Sequence, residues 1–153
     1  MALAQRIDFI GIPTVSSVRS RVPAARPDTN ALRNFGWTIV INRLDERLRP
    51  LRDLSEGWDG QTALPIDQRT IATALDVYPR LVGLRAPMPS IVPTVDGGVQ
   101  LEWHTLRHHV EISIEGTDFS VFVMRRDTGE TAQYEPNSER EAREALAEAL
   151  SLG

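Results

Sequence analysis

The apolar positions change period along the chain. From Trp37 they recur at intervals of three or four, as Trp37, Val40, Ile41, Leu44, Leu48, Leu51 and Leu54. That spacing lines one face of an amphipathic helix. Arg43, Asp45, Glu46, Arg47, Arg49 and Arg52 fill the other face, and Asp45 with Arg49 makes a favourable i,i+4 pair. Pro50 cannot donate to the helical ladder, so a kink or two abutting helical pieces is expected there. The helix is expected to end near Ser55, with Gly57 taking the left-handed conformation that closes it. A second stripe, Ile71, Ala74, Leu75, Tyr78 and Val82, follows Asp67, whose carboxylate is placed to cap its first turn. Pro79 is expected to interrupt this helix and Gly83 to stop it, and the two helices are expected to pair antiparallel.

From Ser90 the period falls to two. Ile91, Pro93 and Val95 alternate with polar or small neighbours, Asp96-Gly97-Gly98 can supply the positive φ angles of a hairpin loop, and Val99, Leu101 and Trp103 alternate on the return. A three-residue loop would set Val95 beside Val99, Pro93 beside Leu101 and Ile91 beside Trp103. Pro93 places its strand at a sheet edge. The next turn is expected to pair Trp103 with Val110 and Leu101 with Ile112, and on the opposite face Glu102 with Glu111 and His104 with His109. Phe119, Val121 and Val123 continue the core face, and turns at Glu115-Asp118 and Asp127-Glu130 lead to a short strand through Tyr134. Ser138-Glu139-Arg140-Glu141 reads as a capping box opening a last helix, lined by Ala142, Ala145, Leu146, Ala149 and Leu150, with Glu139 and Arg143 as an i,i+4 pair.

The expected fold is therefore α+β: an antiparallel meander of four or five strands packed against two helices from the N-terminal half and one C-terminal helix. At 153 residues the chain suits one domain. Residues 31–153 are expected to form it. Residues 1–30 mix an apolar piece, Ile7 to Ile12, with a Ser, Arg and Pro-rich piece carrying Arg19, Arg21 and Arg26, and read as a flexible arm.

Composition narrows the chemistry. No apolar run reaches the roughly 18 to 20 residues that span a bilayer, and the N-terminus lacks a leader pattern, so no membrane association and a cytoplasmic location are expected. The absence of cysteine removes disulfides, thiolate catalysis and Cys-type metal sites. A formal net charge of −4 opposes a domain built mainly to neutralise phosphates. Neither a nucleophile elbow nor a Gly-Lys-Ser/Thr phosphate loop is present. No cofactor is implied.

The strongest constellation of reactive groups is the outer face of the central hairpin. Glu102, Glu111, His104 and His109, with Asp96 at the hairpin end, could hold a divalent metal or divide acid and base roles. The bland reading, which is favoured, is that the glutamates meet an arginine such as Arg125 or Arg126, and no metal site is assigned. Arg107, Arg125 and Arg126 are expected near one end of the sheet, where they could meet nucleic acid, although Trp103 and Phe119 face the core rather than a base. Phe122 and Met124 fall on the nominally polar face, which is therefore expected either to be partly covered or to dock something. The turn Gly57-Trp58-Asp59-Gly60 has two readings. Trp58 could anchor an interface, but the favoured reading buries it between helices and sheet while Asp59 bonds local amides and Gly60 takes a positive φ.

Leu51-x-x-Leu54-x-x-Gly57-Trp58-Asp59-Gly60, then Pro65-Ile66, then Pro93-Thr94-x-Asp96-Gly97-Gly98-Val99-x-Leu101-Glu102-Trp103, resembles a group of short bacterial and phage-associated proteins without an assigned activity. The likeness spans residues 44 to 115 and carries no catalytic residues. It implies an accessory protein of the phage or mobile-element type that restrains a protein partner as antitoxins do. The functional expectation is a non-enzymatic protein-interaction module. A small metal-dependent or acid-base enzyme is the alternative, and nucleic-acid binding the second.

Overall fold

The computed structural model describes residues 28–151; Ile7 to Ile12 and the arginines of the expected arm lie outside them. Helix α1 spans Thr29–Leu48 and starts eight residues before the apolar stripe. Its first turn is held by Asp28, whose carboxylate accepts the Asn30 N–H at 2.9 Å. A cap can open a helix where no core is yet available to support it. Leu44 and Leu48 are buried, and Trp37, Val40, Ile41, Leu51 and Leu54 pack against the core. Pro50 falls in the first turn of a separate 3-10 segment, Arg49–Asp53, where its missing N–H is not needed. The helical track is thus two abutting pieces. Asp45 bonds Arg52 rather than Arg49.

Helix α2, Gln68–Leu81, is capped by Asp67, which accepts the Arg69 N–H at 2.8 Å. Pro79 does not interrupt it. Lying one turn from the C-terminus, Pro79 is accommodated within the helix, which ends when Val82 becomes extended. Val77 and Leu81 join Ile71, Ala74 and Tyr78 in the core.

Strands β1 (Ser90–Pro93), β2 (Val99–His104), β3 (His108–Glu115), β4 (Asp118–Arg125) and β5 (Thr131–Tyr134) form one antiparallel sheet in sequence order. Pro93 lies in the edge strand. The β2–β3 register is the expected one, with Trp103 opposite Val110, Leu101 opposite Ile112, Glu102 opposite Glu111 and His104 opposite His109. The β1–β2 register is not. Pro93 pairs with Val99 and Ile91 with Leu101, a shift of two residues that leaves Val95 in the loop and exposed. A five-residue loop replaces the expected three-residue one because Thr94 closes it: its N–H donates to Gly98 O and its Oγ1 accepts the Gly98 N–H, both at 2.9 Å. An even shift keeps the same side chains on the core face.

Helix α3, Glu139–Leu150, buries Ala142, Leu146, Ala149 and Leu150. The capping box does not form. Ser138 Oγ turns back to donate to Glu135 O, and no amide of the helix donates to it. Glu139 pairs with Arg80 of α2 instead of Arg143. Helices α2 and α3 lie on one face of the sheet, and α1 packs beside α2. Trp103, stacked on Tyr78 at 6.3 Å and donating its indole N–H to Pro87 O, ties the sheet to α2 and to the segment after it.

Candidate functional site

The two sequence signatures meet in space and build a joint. Asp59 accepts the N–H groups of Gln61 at 2.8 Å and Ala63 at 3.1 Å, which holds its carboxyl below the usual aspartate range. Gly57 and Gly60 take positive φ angles, 74° and 82°. The segment that follows bonds the β1–β2 loop, with Leu64 N–H donating to Val95 O and Asp67 N–H to Gly97 O. Gly97, at φ 84°, passes so close that an added Cβ would lie 2.8 Å from Pro65 O. At Gly98 the same atom would lie 2.8 Å from Ile114 O. Gly98 is therefore required for close approach and not for a positive φ.

Trp58 departs from expectation. It is half-buried and stays outside the core, its indole N–H donating to Leu64 O at 3.0 Å. The tight turn curls the ring over its own loop, and Trp103 takes the core position between sheet and helix.

The face of the sheet turned away from α2 and α3 carries the other candidate residues. Period-two alternation places Glu102 and His104 of β2, His109 and Glu111 of β3, and Phe122 and Met124 of β4 on this side. The four acid and imidazole groups divide into two sets. His104 Nε2 lies 3.2 Å from Glu102 Oε2, and the His104 and His109 rings stack with their Nδ1 atoms 3.0 Å apart. Glu111 turns along its own row, accepting from Ser113 Oγ at 2.6 Å and Gln100 Nε2 at 3.0 Å. Gln100 and Ser113 share the face by the same alternation, so their place was legible, although their claim on Glu111 was not. No group of three or more acidic or imidazole side chains among the described residues is placed to hold a metal ion between them. Asp96 lies at the far end of β2, a strand length of ~17 Å from His104. There it lines two open clefts of about 350 and 450 Å³, together with Glu115 and Asp118.

Phe122 and Met124 are half-exposed, and His109 sets its ring edge-on to Phe122 at 6.2 Å. At the neighbouring end of the sheet Arg126 N–H donates to Arg107 O, and Arg125 stands opposite His108. This gathers Arg107, Arg125 and Arg126 as expected. Arg125 pairs loosely with Asp127 at 3.5 Å, while Arg126 Nη2 approaches His104 Nδ1 at 3.4 Å. The arginines leave both glutamates to other partners. Trp103 and Phe119 are buried, and the side chain projecting from this end is Leu106, 98% exposed.

No protein-family model, curated protein or solved structure matches the chain. No helix among the described residues is long and apolar enough to cross a membrane.

Proposed function

We propose that this chain is a non-enzymatic interaction module whose sheet face opposite α2 and α3 binds and restrains a protein partner. The observation that carries the reading is the pair Phe122 and Met124, half-exposed on a face that no helix among the described residues covers and bordered by His109, Glu111 and Gln133. An apolar centre inside a polar rim is the usual composition of a protein interface. The resemblance to phage-associated proteins adds an accessory, antitoxin-like setting. The test is capture with the full-length chain, followed by hydrogen exchange on the complex. A stoichiometric partner should protect β3 to β5 and be lost when Phe122→Asp or Met124→Asp is introduced. A partner retained by both variants, or no partner, overturns the reading.

A second reading, nucleic-acid binding, draws on the gathering of Arg107, Arg125 and Arg126 at one end of the sheet. It requires affinity for a single-stranded oligonucleotide that falls with salt, with each Arg→Ala change lowering the salt slope by about one. The acid-base reading lacks such support, because Glu111 is committed to Gln100 and Ser113.

A further inference from the structure

We propose that His104 and His109 form a two-imidazole site for a transition-metal dication of the Zn²⁺ class, completed by water or by a ligand from outside the chain. The two Nδ1 atoms lie 3.0 Å apart on strands whose register sets the residues directly opposite each other. Metal–nitrogen bonds of ~2.0–2.1 Å place two ligands on one ion ~2.9 Å apart at a right angle and ~3.3 Å apart at the tetrahedral angle. The observed separation falls between these, so little ring movement is needed to admit an ion.

The surroundings fix which nitrogen is available. A guanidinium can only donate, so the approach of Arg126 Nη2 at 3.4 Å leaves His104 Nδ1 as the acceptor. The ring proton then sits on Nε2, where it donates to Glu102 Oε2 at 3.2 Å. A carboxylate behind the distal N–H is the usual support of a metal-binding imidazole, since it orients the ring and raises its basicity. His109 donates its Nδ1–H to the same acceptor. On metal binding that proton is lost to water while Nε2 takes one up, so His109 changes tautomer and stays neutral. Arg126 is the competing cation. Its side chain is exposed and can withdraw. Imidazole donors favour zinc, nickel and copper over magnesium and calcium. Two protein ligands leave coordination positions open, and the site does not depend on a protein partner.

The test is calorimetric titration of the full-length chain with ZnCl₂, read alongside the imidazole resonances of all three histidines. One ion should bind per chain, shifting His104 and His109 but not His108. His104→Ala and His109→Ala should each weaken binding at least tenfold, and His108→Ala should not. Glu102→Gln should weaken it about tenfold. Arg126→Gln should tighten it severalfold, an effect a merely structural role would not produce. Magnesium should give no response. Should an alanine variant fail to fold, the residue-specific shifts in the unsubstituted chain decide. Absence of saturable binding, binding that tracks His108, or binding unchanged in both alanine variants overturns the proposal.

Discussion

Gly97 is where the loop between β1 and β2 closes on the segment before α2. Its φ of 84° and the 2.8 Å approach of Pro65 O to a Cβ built there both act against a side chain. Gly97→Ala should therefore destabilise the fold by about 2–4 kcal/mol in denaturant unfolding, opposite in sign to the stabilisation of about 0.4–1 kcal/mol expected for Gly→Ala at an unstrained position. Tyr78 supplies a second measurement. Burial pushes its phenol up to about 12, against a small opposing pull from Arg47. The folded state thus holds the phenolic proton more tightly than the unfolded chain does. The corresponding stability is complete below about pH 10 and is lost as pH rises towards 12, by roughly 2 kcal/mol. Unfolding measured across that window should show the loss, and Tyr78→Phe should remove it. The tryptophans separate two roles. Trp103→Ala should cost about 3–5 kcal/mol because it empties a core position, whereas Trp58→Ala should cost distinctly less. Equal losses would return Trp58 to the core.

Among the elements, the helix starts show how far a local motif specifies structure. Asp67 and Ser138 both precede helices with favourable cap chemistry, but only Asp67 bonds a first-turn amide. Asp67→Ala should cost about 1 kcal/mol, and Ser138→Ala only a few tenths, on the same thermal-unfolding assay. The difference is one of orientation: Ser138 Oγ is turned back towards Glu135 O, an acceptor placed by the turn leaving β5, and away from the first-turn amides. The hairpins make the same point. The β2–β3 register was legible because a short turn joins two strands with uninterrupted alternation, and a one-residue slip would expose Trp103, Leu101 and their partners. The β1–β2 register shifted by two because Thr94 and Leu64 decide where the loop closes, and a shift of two carries no penalty in facing.

At the scale of the whole molecule, the helices lie on one side of the sheet and leave Phe122, Met124 and the two glutamates on the other. If that face is an interface, Phe122→Asp should abolish partner capture while leaving unfolding within about 0.5 kcal/mol, as for other surface substitutions. A large stability loss would make Phe122 a packing residue. The chain's own spacing determined the α+β class, the meander, the edge position of Pro93 and the row that brings His104 opposite His109, because helical and strand periods act over a few residues and are written locally. Tertiary structure decided the rest: that Trp58 stays with its loop while Trp103 fills the core, that the loop of Gly97 closes against Pro65, and that Glu111 turns to Gln100 and Ser113 while Glu102 turns to His104. Each of these depends on which of several polar or aromatic partners lies within bonding distance in the folded chain. A residue's neighbours in space set that distance, and local periodicity does not encode it.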